Sequence, residues 1–184
     1  MVSCCRGNDE IDMIAPCTEA DIPALFAVIN DAARAYRGHV PDDCLHEPYM
    51  SDAELRGEIA AGVRFIGWFE DGELLGAMGI QDVQDVALIR HAYVATGARR
   101  GGIGGRLLKH LLMLTDRPVL VGTWRAATWA VDFYARHGFS LVGEAEKTAL
   151  LRKYWTISER QNEMSLVLRV ALRTTRHEHQ LQNP

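Results

Sequence analysis

The sequence predicts a single α/β domain. The chain has 184 residues, enough for one well-buried core and short for two, and 48% of them are hydrophobic. Segments with apolar residues at helical spacing alternate with short apolar runs that are typical of strands, and no repeat or linker interrupts them. We expect this domain to span residues 13–171, and we expect the polar, non-periodic ends at 1–12 and 172–184 to be disordered.

The first third of the chain predicts one strand and two helices. "MIAPC" is typical of a short opening strand. A helix then begins with Thr18 as its N-cap and Asp21 in the capping-box position, and it ends at Gly38. The segment "SDAELRGEIAAG" predicts a second helix, capped by Ser51 with Glu54 three residues later.

The rest of the chain alternates between strands and helices. Two apolar runs flank Asp71-Gly72, a dipeptide that favours a tight hairpin, and "VALIRHAYV" predicts a third strand that ends at Val94. A helix that begins in a glycine-rich loop follows, and then a strand "PVLVGTW" and a helix with Thr128 as its N-cap. A strand "FSLVGE", a segment of helix and loop, and a last strand "MSLVLRV" complete the domain.

Composition argues against several classes of function. The 20 basic and 24 acidic residues leave a formal charge of −4, so a general basic footprint for nucleic acid is missing. No apolar run approaches the roughly 18 residues of a membrane span, and the N-terminus lacks the apolar core of a secretory signal. We therefore expect a cytoplasmic protein with no nucleic-acid partner, no membrane partner and no metal site. The cysteines, which we expect to be free thiols, are Cys4, Cys5, Cys17 and Cys44.

The segment "RRGGIGGRLL" places four glycines among five consecutive positions at the start of a predicted helix. Backbone amides at a helix N-terminus form an anion site, and glycines let a diphosphate approach them. Arg99 and Arg100 add donors for charge-assisted bonds to the outer oxygens. A P-loop requires Gly-Lys-Ser/Thr where Arg106-Leu107 stands, and a Rossmann fingerprint requires a third glycine at Leu107. A tight turn without a ligand remains the alternative.

Two segments resemble those of a known enzyme family. "YVATGARRGGIGGRLL" resembles the acetyl-CoA-binding motif of the GNAT superfamily of N-acetyltransferases, whose pattern Gln/Arg-x-x-Gly-x-Gly/Ala is matched at Arg99, Gly102 and Gly104. Further along the chain, "AVDFYARHGF" resembles the family segment Ala-x-x-Phe-Tyr-x-x-x-Gly-Phe. The order of the predicted strands and helices also agrees with the family over roughly residues 12–171.

The resemblance implies a fold and a reaction. The fold is a mixed, mostly antiparallel twisted sheet of six or seven strands with helices on both faces, and a bulge splays the strand ending at Val94 away from the next one. The reaction moves an acetyl group from acetyl-CoA, the co-substrate, to a primary amine by direct attack, and homodimers are common in the family. The residues implied for acetyl-CoA binding are Ala92, Tyr93, Val94, Arg99, Arg100, Gly101, Gly102, Ile103, Gly104 and Gly105. Because Leu88 and Ala127 occupy positions where the family often has glutamate and asparagine, the alternative is a CoA-binding sensor or regulatory module without turnover.

The resemblance also implies a catalytic tyrosine. Tyr134 matches the residue that protonates the leaving sulfur in many family members, and core packing beside Phe133 is its alternative role. For the base that takes the proton of the amine, we name His91, because histidine titrates near neutral pH; packing within the sheet is its alternative role. The other candidates for this base are Asp82, Asp85, His46 and Glu47.

Irregular segments predict the acceptor site. The family binds its acceptor between the first two helices and the last strands, so we expect Tyr36, Glu47 and Tyr49 to contact the substrate. The segment 146–163 is longer than a hairpin requires, and we expect it to cover the acceptor cleft. The mixed polarity leaves the acceptor open among small-molecule amines and peptide N-termini, and a loop or core role is the alternative for each residue.

Overall fold

The structure is a computed structural model of the chain, and it describes residues 13–170. The two ends for which we expect disorder lie outside the described residues, as do Cys4 and Cys5. Within the described part, Cys17 and Cys44 are free thiols. None of the helices between residues 13 and 170 is long and apolar enough to cross a membrane.

Seven strands form one sheet within residues 13–170. Their order across the sheet is β1-β2-β3-β4-β5-β7-β6, and every neighbouring pair is antiparallel except β4 and β5. This arrangement confirms the mixed, mostly antiparallel sheet. The strands are β1 Met13–Pro16, β2 Arg64–Glu70, β3 Glu73–Val83, β4 Val86–Val94, β5 Val119–Trp124, β6 Ser140–Leu141 and β7 Ser165–Val170.

Six α-helices connect these strands in the described part of the chain. They are α1 Ile22–Ala33, α2 Asp52–Ala60, α3 Ile103–Leu112, α4 Thr128–Arg136, α5 Glu144–Tyr154 and α6 Glu159–Met164. Short 3-10 turns at Glu19–Asp21, Arg34–Tyr36, Asp42–Cys44 and Thr96–Ala98 join them to their neighbours.

Local sequence signals placed most element boundaries correctly. Both predicted capping boxes are present, at Thr18 with Asp21 and at Ser51 with Glu54. The hairpin between β2 and β3 turns at Asp71-Gly72, where both residues have the positive φ that a tight hairpin requires.

Three boundaries differ from the prediction. Helix α1 ends at Ala33 and tightens into a 3-10 turn before Gly38, and Ala127 rather than Thr128 is the N-cap of α4. Strand β6 covers only Ser140–Leu141 because it is an edge strand that pairs with β7 alone, and the chain then turns at Gly143 into α5.

Helices cover both faces of the sheet, as predicted. On one face, α3 buries Leu107, Leu108 and Leu111 completely against β2, β3, β4 and β5. Helices α1 and α2 pack on the opposite face, where α5 joins them through Leu151. Each buried leucine stabilises the fold by roughly 1.5–3 kcal/mol, so these two layers hold the central strands in place around the site.

Candidate functional site

Strands β4 and β5 separate part-way along their length. Their parallel pairing covers only Ala87–Ile89 of β4 and Val119–Val121 of β5. Beyond this point β5 pairs with β7 as far as Trp124, whereas β4 pairs with β3. A cleft therefore opens at the carboxyl ends of two parallel strands, a position where α/β sheets commonly bind ligands.

A β-bulge in β4 lies where the two strands separate. Ala77 of β3 faces Tyr93 and Gly79 faces Arg90, so β4 contains an extra residue over this stretch. His91 adopts a φ of 51°, in the left-handed region that residues with bulky side chains rarely enter. A regular strand alternates its side chains between two faces. Here the bulge lets consecutive side chains, Arg90 and His91, approach α2 together.

The cleft has a volume of about 220 Å³. Its walls are the end of β4, Gly122–Trp124 of β5 and Tyr134 of α4. Further lining comes from the 3-10 turn after α1 and from the α5–α6 region. Two of the residues that the resemblance implies for acetyl-CoA binding, Ala92 and Tyr93, belong to this wall, and Val94 follows them at the end of β4. The predicted site residues that line the cleft are Tyr36, Tyr49, His91, Ala92, Tyr93 and Tyr134.

The glycine loop forms the N-terminus of α3. Gly102 is the N-cap residue and has a φ of 81°, a conformation that costs glycine little and other residues considerably more. Side chains added at Gly101 or Gly102 would point into open space, apart from one ordinary contact with a backbone oxygen. The first turn of α3 carries no acidic side chain, and its leading amides have no partner within the helix. The residues present therefore fit a diphosphate.

The second half of the same loop packs against protein. A Cβ at Gly105 would lie 2.8 Å from His137 Nε2, and a Cβ at Gly104 would lie 3.5 Å from the Phe133 ring. Both of these neighbours belong to the α4 region. Ile103 is buried in the core between the glycines and fixes the loop to the sheet. Gly105 thus allows α3 to approach the end of α4 closely, whereas a Cβ at Gly104 would make an ordinary contact.

Arg99 connects the loop to the end of α1. Its Nη2 donates a hydrogen bond to the carbonyl oxygen of Ala32 at 2.9 Å. Nearby, the backbone N–H of Thr96 donates to Asp31 Oδ2 at 2.7 Å, and this bond is the main reason why the pKa of the Asp31 carboxyl is lowered. Arg99 thus has a structural contact in addition to the phosphate contact expected from the sequence. Its neighbour Arg100 has a φ of 72°.

Tyr134 is buried between helix α3 and the cleft. Its ring packs against Phe133 at 5.0 Å and Phe139 at 5.4 Å between ring centroids, and the residue is 4% exposed. Burial, together with the nearby Tyr36 phenol, raises the pKa of Tyr134 above its usual value. The phenol therefore holds its proton near neutral pH, which is the state a proton donor needs.

His91 and Arg90 share the carboxylate of Glu58, a residue that the sequence analysis did not single out. Glu58 Oε2 lies 3.2 Å from His91 Nε2 and 2.9 Å from an Arg90 guanidinium nitrogen. Burial alone would raise the pKa of the Glu58 carboxyl. The contact and charge of His91 and the charge of Arg90 have the larger combined effect, so the pKa lies below its usual value. Arg90 also donates to Gln81 Oε1 at 2.9 Å. No spacing in the sequence links Glu58 to β4, because the two segments meet only through the bulge.

Aromatic side chains dominate the acceptor end of the cleft. The ring centroids of Tyr36 and Tyr49 are 5.5 Å apart, and those of Tyr49 and Tyr93 are 6.2 Å apart. Burial raises the pKa of both Tyr36 and Tyr93, so these phenols are neutral. Glu47, the third residue predicted to contact the substrate, instead makes an exposed ion pair with Arg37 at 2.6 Å and does not line this cleft.

The segment predicted to cover the cleft folds into α5 and α6. Trp155 lies between these helices and faces Gly122 of β5, where an added Cβ would meet its ring at 3.5 Å. Trp155, Ile157 and Gln161 all line the cleft. Arg160 Nε lies 3.3 Å from Asp43 Oδ2, so this segment also contacts the loop that carries Tyr49.

The remaining candidates for the base lie away from the cleft lining. Asp82 is 3.4 Å from an Arg64 nitrogen, Asp85 accepts a 2.7 Å hydrogen bond from Tyr154, and His46 Nε2 lies 3.6 Å from Glu54. Residues 13–170 contain no cluster of side chains suited to a metal ion.

The two positions that depart from the family pattern are both buried. Leu88 packs in the core beneath α5, and Ala127 is the buried N-cap of α4. Neither side chain lines the cleft.

Comparison with known families and structures agrees with this geometry. A family model described as an acetyltransferase (GNAT) domain matches residues 30–152. In a comparison with curated proteins, no sequence matches. Many solved structures share the fold, and among them are N-acetyltransferases with coenzyme A bound.

Three of these structures illustrate the similarity. PaiA N-acetyltransferase from Thermoplasma acidophilum, in complex with coenzyme A, is 17% identical with a TM-score of 0.67, covering 87% of this chain and 98% of that chain. The ribosomal-protein-S18-alanine N-acetyltransferase from Escherichia coli is 14% identical with a TM-score of 0.64, covering 91% and 98%. N-acetylglutamate synthase from Neisseria gonorrhoeae, complexed with coenzyme A and L-arginine, is 22% identical with a TM-score of 0.59, covering 90% of this chain and 34% of that chain.

Proposed function

The chain belongs to the GNAT acetyltransferase family, and from this we propose that it transfers the acetyl group of acetyl-CoA to a primary amine by direct attack. The observation that carries the proposal is the cleft between β4 and β5, which Tyr134 and His91 both line. The coenzyme, when bound, supplies an activated thioester.

The glycine loop and the α3 N-terminus are proposed to hold the diphosphate of the coenzyme. The amides of the first turn and the positive end of the helix dipole provide the attraction, and Gly101 and Gly102 leave room for the phosphates. Arg99 and Arg100 flank the site and add positive charge. Gly104, Gly105 and Ile103 support the loop by packing.

The end of β4 is proposed to hold the acyl arm. Ala92, Tyr93 and Val94 follow the point where pairing with β5 stops, so their backbone groups on that edge are not used by a β4–β5 ladder. Backbone donors aimed at a carbonyl oxygen stabilise the negative charge that develops during attack by a few kcal/mol each.

Tyr134 and His91 are proposed to move the protons. The amine nitrogen forms its bond to the thioester carbon as the carbon–sulfur bond breaks, and the departing thiolate takes the phenolic proton of Tyr134. His91 accepts the proton that the amine loses, and the Glu58 carboxylate at 3.2 Å balances the positive charge of the imidazolium. A cytoplasmic location and homodimerisation stay predictions.

Thermal melting of the purified protein with acetyl-CoA, CoA, ATP or NAD tests the proposal. A ligand that binds only the native state at a hundredfold excess over its Kd adds about 2.7 kcal/mol, which raises the Tm of a domain of this size by several degrees. We expect acetyl-CoA and CoA to raise the Tm, and ATP and NAD to leave it unchanged. A shift with ATP or NAD alone would contradict the proposed site.

A further inference from the structure

The acceptor end of the cleft carries almost no charge available to a ligand. Among the described residues that line it, Arg90 is the one side chain that is always ionised, and its guanidinium already contacts Glu58 and Gln81. No carboxylate of the described chain belongs to the lining. Glu47, the one charged residue predicted to contact the substrate, pairs with Arg37 outside this lining.

Aromatic and apolar surface takes the place of charge. The rings of Tyr36, Tyr49 and Tyr93 form three neighbouring walls at tilted and edge-on angles. Burial raises the pKa of the Tyr36 and Tyr93 phenols, so these two are neutral donors. Trp124 and Trp155 extend this surface along β5. Such rings pack well against a flat apolar part of an acceptor, and their faces attract the ammonium group of the acceptor before it loses its proton.

The cleft is also small. Its volume of about 220 Å³ lies below the roughly 300–1,000 Å³ that is usual for pockets that hold drug-sized ligands. Because the acyl arm is proposed to lie along Ala92 and Tyr93, which line the same cleft, only part of this volume is open to the acceptor, and a body the size of one ring fits that part better than a long chain or a folded peptide. The α5–α6 region and the loop before α2, which both contribute to the lining, are joined by the exposed Arg160–Asp43 contact at 3.3 Å.

We propose that the acceptor is a small primary amine on a single aromatic body, without a carboxylate and without a second charge. This inference rests on the proposed acetyl transfer and names its substrate class. An acceptor carboxylate would give up its hydration on entering the cleft without meeting an unpaired cation in the lining. A second ammonium group would likewise be desolvated without meeting a carboxylate, so binding either charge would be unfavourable.

Two matched pairs of amines test this proposal with the full chain and acetyl-CoA. Phenethylamine and L-phenylalanine differ by a carboxylate, and pentylamine and cadaverine differ by a second amine. We expect kcat/KM for phenethylamine to exceed that for L-phenylalanine by about a hundredfold, and pentylamine to exceed cadaverine by about tenfold. We also expect kcat/KM to be higher for phenethylamine than for pentylamine. Equal or reversed kcat/KM values within either pair, or a higher kcat/KM for pentylamine than for phenethylamine, would overturn the proposal.

Variants of Tyr49 test whether the aromatic walls produce this preference. Tyr49→Ala is expected to raise KM for phenethylamine about tenfold, whereas Tyr49→Phe keeps the ring and is expected to stay within about threefold of the parent. Neither variant is expected to change the Tm shift with CoA. An unchanged KM in Tyr49→Ala would contradict the role of the ring.

The outcomes also separate this proposal from the acetyltransferase assignment on which it rests. If CoA raises the Tm but none of the four amines is acetylated, the acceptor class is wrong and the coenzyme site stands. If neither CoA nor acetyl-CoA raises the Tm, the proposed function itself is wrong.

Discussion

The two ends of the proposed site are built in different ways. At the proposed coenzyme end, outside the cleft lining, one contiguous loop from Arg99 to Gly105 supplies backbone amides at the start of α3. At the acceptor end, side chains arrive from five separate parts of the chain, including Tyr36, Tyr49 and Trp155. The coenzyme end thus depends on local backbone conformation, whereas the acceptor end depends on how distant segments pack.

This difference explains why changes at the two ends should affect different measurements. If the loop binds the diphosphate as proposed, a change in it alters the binding of the coenzyme, which every reaction of the enzyme shares. A change in the aromatic walls alters the affinity for one acceptor and leaves the coenzyme affinity alone. Tyr134 lies between the two ends, so its phenol should affect the chemical step and neither affinity.

Tyr134→Phe is expected to have the largest effect. Removing the phenolic proton donor should lower kcat by about a hundredfold to a thousandfold, the usual range for a general acid. The ring still fills its place against Phe133 and Phe139, so the Tm and its shift with CoA should match those of the parent. Full turnover in Tyr134→Phe would show that another group protonates the thiolate.

Gly102→Val is expected to weaken CoA binding about a hundredfold. Its φ of 81° strains any branched residue by roughly 1–3 kcal/mol, and the new side chain occupies the open space reserved for the phosphates. The matched control is Gly97→Val, because Gly97 lies in the neighbouring 3-10 turn with open space around it and without a positive φ. Titration calorimetry with CoA measures both. Equal losses in the two variants would mean that the loop does not bind the diphosphate.

The sequence predicted local features better than features that depend on packing between distant segments. The loop, the hairpin at Asp71-Gly72 and the capping boxes depend on neighbours in the chain, so their residue types were informative. The position of β7 between β5 and β6 was not predictable from local pattern, because it depends on which sheet edge remains free after β5 has formed. The role of Gly105 in the close approach of α3 to the end of α4 could not be predicted from the sequence for the same reason.

The contact of Glu58 with His91 was also beyond the sequence. Glu58 lies on α2, a largely polar helix in which only Leu55 is buried, and the bulge in β4 brings both Arg90 and His91 to it. Of the five alternatives for the base, the structure brings His91 alone to the cleft among the described residues. The assignment of His91 as the base stays a prediction, and Glu58 provides the way to test it.

Glu58→Gln is expected to have the smallest effect on catalysis and a measurable effect on stability. Losing the negative charge beside His91 should lower kcat/KM about tenfold while leaving the CoA affinity unchanged. Leaving Arg90 and His91 without their carboxylate should cost about 1–2 kcal/mol of unfolding free energy at neutral pH. Because the pKa of Glu58 is lowered by folding, its contribution is present above the unfolded pKa and is lost as the pH falls through the folded pKa. The denaturation curves of parent and variant should therefore converge in acid.

Glu146→Gln, which breaks the exposed 2.7 Å pair with Arg169, is the matched control and should change neither kcat/KM nor the unfolding free energy appreciably. If Glu58→Gln lowers stability but leaves kcat/KM at the parent value, Glu58 holds β4 against α2 and takes no part in proton transfer.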